Sequence, residues 1–248
     1  MSFLFTVSPD FTPDHLSGWY IFNTWLQKQT GEPIHLEMYN DFTAQREAIA
    51  QNKVNLIYAN PYDAAMLVRE KGFLPLVKPV GVSDEAIIAV GAANPVDDVA
   101  ELTPGVKLAF TDDPDVKMMG MIMLEPGDLD AKNMQSLSCD TYVQVAKHLL
   151  RGDADVGIFL AEAYDDLSEM IKKQLKILVR SQISVIHHSL MIGPGLLDKR
   201  EQFQQCLTGM ASDEKGAGVL ESLGFTSWEK VDDEEMEFMI DLMDTLSV

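Results

Sequence analysis

The strongest constraint on this chain is a rhythm in its first 71 residues, where apolar runs of strand length alternate with segments of helical apolar spacing. Residues 3–7 (FLFTV) are a short apolar run ending in the turn signal Ser8-Pro9-Asp10. Leu16, Trp19, Tyr20, Phe22 and Leu26 then mark an amphipathic helix closed by Gly31. A strand is expected at 34–39, a helix at 43–51, a strand at 54–59 and, after the Asn60-Pro61 break, a helix at 62–71. Strand and helix in that order predict an α/β fold whose parallel sheet carries helices on its faces.

The rhythm changes at Gly81. A strand at 85–92 has no helix after it, and a strand at 106–110 leads to a helix at 115–124. A helix at 141–150, a strand at 154–159, a short helix from Glu162 and a strand at 175–179 follow. Residues 185–192 alternate in part and stop at Gly193-Pro194-Gly195, after which helices are expected at 197–210, 215–223 and 233–246. The last helix carries Phe238, Ile240, Leu242 and Met243 as an apolar stripe that packs inward or makes a dimer contact, and its acidic start suits the positive end of the helix dipole.

No linker separates two consecutive domains in these 248 residues, although the length is generous for one core of roughly 250 residues at most. The expectation is two lobes joined by extended strands that cross at 81–84 and 182–184. Lobe 1 then takes residues 1–82 plus 185–248, and lobe 2 takes 83–184.

With 39 acidic against 19 basic residues, the formal charge of −20 argues against nucleic acid and against anionic membrane surfaces. No apolar run reaches the roughly 18 residues of a membrane span. No signal peptide opens the sequence, so the chain is expected to be periplasmic if an export signal has been removed and cytoplasmic if Met1 is the native start. Cys139 and Cys206 do not form a disulfide scaffold and read as free buried thiols.

Ligands of open α/β sheets lie beyond the carboxyl ends of strands, against helix N-termini. Here those ends carry Ser8, Phe11, Tyr39, Phe42, Tyr58, Asn60, Tyr62, Asp112, Asp113 and Glu162, with the aromatics as walls of a cleft. Turn chemistry and helix capping explain Asn60-Pro61 and Asp113-Pro114 equally well. No GxSxG elbow, P-loop, GxGxxG or HExxH is present, which weakens an enzyme reading. His187 and His188 would face opposite sides of a strand. His188 shares its side with Ile186, Leu190 and Ile192 as a core histidine would, and His187 is the one favoured for the cleft.

Several segments together resemble the PhnD-like substrate-binding proteins of phosphate, phosphite and phosphonate ABC importers. They are FTVSPD at 5–10, VNLIYANPYDAA at 54–65, RGDADVG at 151–157, LVRS at 178–181, LGF at 223–225 and DLMDTL at 241–246. The resemblance covers nearly the whole chain in collinear order. It implies a two-lobed type II periplasmic binding protein fold with two crossing hinge strands, no catalysis and no cofactor. It also carries ligand contacts to Phe42 and Tyr58, an amine-facing carboxylate to Glu162, and further contacts near His187 and Tyr142.

Where such proteins hold phosphonate oxygens with a Ser-Thr-Ser-Gly-type turn, this sequence has Thr111-Asp112-Asp113-Pro114-Asp115. Carboxylates have replaced hydroxyls and Pro114 removes an N–H donor, which favours a cationic or hydrogen-bond-donating ligand. Lys117 could offset them. The expected function is capture of a small polar ligand for an ABC permease or a membrane sensor kinase, by a monomer. The alternatives are a metal- or cation-binding protein or metal-dependent enzyme that uses the acidic residues, and a cytosolic ligand-responsive regulator.

Overall fold

The computed structural model of the chain describes residues 2–10 and 15–246. Strand β1 (Phe3–Val7) lies between β2 (Ile34–Leu36) and β3 (Val54–Ala59), all parallel, with α1 (Leu16–Thr30) and α2 (Phe42–Ala50) as the connections. Helix α1 stops at Gly31, whose left-handed backbone (φ 73°) returns its N–H to the Gln27 carbonyl. Helix α3 (Pro61–Lys71) starts from Asn60, whose side-chain oxygen accepts the Asp63 N–H at 2.8 Å. Pro61 follows at the position where a missing donor costs nothing.

The sequence gives no sign of β4 (Leu74–Pro79), because Pro75 and Pro79 hide it. It tolerates both prolines in antiparallel pairing with the later strands at Ser189–Ile192 and Trp228–Lys230.

Seen by contacts, the chain forms two units. The first comprises residues up to Val82 and then His187–Met243; the second is Ser83–Ile186 together with the end of the chain from Asp244. The passages at 82–85 and 181–188 belong to no strand, and a hydrogen bond from the Asp84 N–H to the Ile186 carbonyl (2.7 Å) joins them.

The second unit begins with β5 (Ala86–Gly91), then β6 (Lys107–Thr111), α4 (Pro114–Met123), β7 (Gln135–Cys139) and α5 (Tyr142–Arg151). Strand β8 (Val156–Leu160), short helices α6 (Ala161–Asp165) and α7 (Glu169–Lys172), and β9 (Leu175–Arg180) complete it. Its sheet runs β7-β6-β8-β5-β9, parallel across β7, β6 and β8 and antiparallel on both sides of β5. Ile87, Ala89, Ala109, Val145, Leu149 and Phe159 form a core between this sheet and α5.

Back in the first unit, β10 (Ser189–Ile192) inserts antiparallel between β3 and β4. Helices α8 (Arg200–Thr208) and α9 (Glu214–Ser222), strand β11 (Trp228–Lys230) and helix α10 (Asp233–Leu246) follow. The sheet order is β11-β4-β10-β3-β1-β2. Its core is aromatic: Trp19 packs on Tyr58 at 4.8 Å between ring centroids and edge-on to Phe5 at 6.1 Å.

The inward face of α10 is Met236, Met239, Ile240 and Met243, the i, i+3, i+4, i+7 set, whereas Phe238 points outward at 60% exposure. The inward stripe thus keeps Ile240 and Met243 of the predicted set and loses Phe238 and the half-buried Leu242. The two cysteines are free thiols, and burial pushes the Cys206 thiol up to about 11.

Candidate functional site

In the first unit the strand ends are tied by a polar chain with little exposure to water. The Asn60 amide donates to Ser8 Oγ (3.1 Å) and to Asp63 Oδ2 (2.9 Å). Arg46 of α2 holds the same Asp63 carboxylate through Nε (2.7 Å) and an Nη (3.2 Å), a two-point grip that only a guanidinium can make. Asp63 is 1% exposed and Asn60 fully buried, so each bond here replaces water that is absent.

The aromatics fall around this chain. The Arg46 guanidinium lies over the Phe42 ring at 5.1 Å and over the Tyr62 ring at 5.2 Å. Tyr62 is exposed and Phe42 half-buried, and both stand at helix starts, with Asp41 capping α2 through the Ala44 N–H at 2.8 Å. Tyr39 is half-buried and lies past the end of β2, which stops at Leu36 rather than at residue 39. Phe11 lies outside the described residues.

Tyr58 is a core residue as well as a strand end. It is 6% exposed, with Trp19 against its ring and the His188 imidazole stacked at 5.3 Å and 25°. His188 Nε2 is 3.1 Å from Asp10 Oδ2. Burial works to raise the Asp10 pKa, but the His188 charge and hydrogen bonds from His188 and Ser8 outweigh it and hold the carboxyl below its ordinary value.

Both histidines precede β10 instead of lying in a strand, so strict alternation does not govern them. His187 is buried, bonds the His188 carbonyl and Ser189 Oγ (3.2 and 3.1 Å) and faces Glu235 of α10 at 3.7 Å. His188, which the sequence assigned to the core, is the histidine beside the strand-end tyrosine.

In the second unit the acidic turn runs from β6 into α4. Asp113 occupies the cap position of α4, but its side chain makes no capping bond; it accepts the Tyr142 hydroxyl hydrogen at 2.7 Å. Asp115, in the first turn, is fully buried. Asp112 is exposed and accepts from Ser138 Oγ of β7 at 3.2 Å. Burial, and next the Asp113 charge, push the Tyr142 hydroxyl well above the ordinary tyrosine value. Lys117 places its ammonium over the Phe110 ring at 4.2 Å. Glu162 is exposed in the first turn of α6.

Arg46 and Asp63 escaped the sequence reading; Asp10 was read only as part of the turn after β1, and His188 as a core histidine. Two signals were available. Asp63 sits three residues after the capping Asn60, and Arg46 sits four after Phe42 on the same helix face.

The family model of the ABC transporter phosphonate periplasmic substrate-binding protein matches residues 5–236. The chain belongs to that family. As a member of the phosphonate-type substrate-binding family it is a non-catalytic solute-binding protein, and the family's transporter implies a membrane permease as its partner. Among the described residues no helix is long and apolar enough to cross a membrane.

Solved structures show the same two-lobed α/β fold with mixed sheets, that of type II periplasmic binding proteins. PhnD1 from Prochlorococcus marinus, in complex with methylphosphonate, superposes with a TM-score of 0.83 at 9% identity, over 100% of this chain and 99% of its own. XAC2383 from Xanthomonas citri, bound to ATP, gives 0.80 at 15% identity over 99% and 98%. A binding-protein component of an ABC phosphonate transporter from Pseudomonas aeruginosa (PA3383) gives 0.78 at 16% identity over 100% and 89%. No curated protein sequence matches the chain.

Proposed function

We propose that this phosphonate-family protein captures a small polar ligand whose cationic or hydrogen-bond-donating group faces Asp113 and Asp115 of the second unit, and delivers it to an ABC permease as a monomer. The first unit supplies Phe42, Tyr62 and the Tyr58–His188 stack as contacts, and Ser8 and Asn60 as the buried support beneath them. Glu162 offers a second carboxylate for an amine.

The observation that carries this reading is the buried pair of carboxylates at the start of α4. A helix N-terminus attracts anions through its dipole and free N–H groups, and here the protein's own aspartates occupy that position. A ligand oxyanion about 4 Å from either would be opposed by roughly 1 kcal/mol in water and by several times that in a protein interior. A second reading, an oxyanion ligand, is favoured by the methylphosphonate held by PhnD1 at a TM-score of 0.83.

A thermal-shift screen of amines, amino acids, oxyanions and divalent metals separates them. The proposal expects stabilisation by an amine-bearing compound that Tyr58→Ala and Glu162→Ala each weaken, and no shift with methylphosphonate or phosphite. Stabilisation by those two oxyanions at millimolar concentration overturns it, and a shift with metals alone favours the metal-binding alternative.

A further inference from the structure

The chain passes between its two units at Val82–Ser83 and at Ile186–His187, and one carboxylate reaches both passages. Glu85 accepts the Ser181 hydroxyl hydrogen, the Ile183 N–H at 3.0 Å and the Ser184 N–H at 2.7 Å. Its Oε1 is also 3.5 Å from Ser83 Oγ on the outgoing passage. Ser184 is held in the left-handed region (φ 59°), which turns neighbouring N–H groups to one side, the arrangement that cradles an anion. Here the anion is a side chain of the protein. Three further bonds close the same knot: Asp84 N–H to the Ile186 carbonyl (2.7 Å), Ser181 N–H to the Ala86 carbonyl (2.9 Å), and Ala86 N–H to Ser181 Oγ (2.8 Å).

On the other side of each passage the chain is anchored to the first unit. The Val80 N–H donates to the Ser227 carbonyl at 3.0 Å, and His187 is fixed by Ser189 and faces Glu235. Between the anchors lies Gly81, with φ 73° and no atom within 4 Å of where a side chain would begin. We propose that Glu85 is the positioning residue of the hinge. It locks both passages to the second unit, so that opening and closing bend at Gly81–Val82 and at Ile186–His187 and no deeper. The inference rests on the solute-binding reading of the fold, but its readouts need no ligand, so a failed ligand screen leaves it standing.

The test compares wild type, Glu85→Ala and Glu85→Gln by two measurements. Amide exchange at Ile183 and Ser184 should accelerate about tenfold or more in Glu85→Ala, with residues 87–91 of β5 unchanged. Spin labels on Lys53→Cys and Lys147→Cys, with Cys139→Ser and Cys206→Ser, should give a broader inter-unit distance distribution in Glu85→Ala than in wild type. Glu85→Gln, which keeps one acceptor oxygen, should fall between them and carries both measurements if the alanine variant does not fold. Unchanged exchange, or faster exchange with an unchanged distance distribution, overturns the proposal.

Discussion

The Tyr142 hydroxyl donates to the Asp113 carboxylate across 2.7 Å, and this bond ties the start of α5 to the start of α4. It also keeps a buried carboxylate satisfied at the end of β6, where the family fold is expected to meet its ligand.

Tyr142→Phe should therefore destabilise the protein by about 1.5–3 kcal/mol at neutral pH, the range for a hydrogen bond to a charged group. Because the folded-state pKa of Tyr142 is raised, its contribution is complete below the ordinary value of about 10 and is lost as pH rises toward the folded value. Urea denaturation across the alkaline range should show a steeper decline in wild type than in the variant, which keeps the raised Tyr39 and Tyr164. Parallel curves would contradict this.

The Asp10–His188 pair acts at the other end of the pH scale. The folded pKa of Asp10 is depressed, so its stabilisation is present above the ordinary carboxyl value and is lost as pH falls below it toward the folded value. His188→Ala removes the partner and leaves a buried carboxylate, at a cost of about 3 kcal/mol. Denaturant midpoints at pH 3 and pH 7 should show the variant's deficit largest at pH 7 and smaller at pH 3, where protonation of Asp10 removes the unpaired buried charge.

Arg46→Met keeps the side-chain stem but leaves Asp63 without its two-point partner, which should cost about 2–4 kcal/mol. Arg46→Lys should recover only part of this, since an ammonium cannot span both carboxylate oxygens. Urea midpoints of the three proteins check the order. Equal losses for lysine and methionine would show that charge contributes nothing.

Much of this fold was legible because its central strands are plain in the sequence. β1, β3 and β8 are mostly apolar runs, and the turn signals after β1 and β3 led directly to Ser8 and Asn60. β4 was hidden by its prolines, β7 (QSLSC) by its polar, largely exposed edge, and β11 by its three-residue length. The Arg46–Asp63 grip spans 17 residues and depends on α2 and α3 starting side by side, which local spacing does not encode. The histidines misled because the partly alternating stretch looked longer than the strand, which begins only at Ser189.

Packing beneath the acidic turn gives a further test. A Cβ on Gly120 of α4 would lie 2.6 Å from side-chain carbons of the buried Ile158, so Gly120→Ala should cost about 1–3 kcal/mol by overpacking. Ile158→Ala opens the space that the new methyl needs. The double variant should be more stable than the sum of the single losses implies, by about 0.5–3 kcal/mol in a denaturation cycle.

Calorimetric titration of primary amines and of methylphosphonate into wild type and Asp113→Asn decides which charge the ligand carries. Heat is expected from at least one amine and none from millimolar methylphosphonate, with affinity about 10- to 100-fold weaker in Asp113→Asn, the loss of one charged hydrogen bond. Methylphosphonate binding that survives or tightens in Asp113→Asn, with every amine silent, would contradict this expectation.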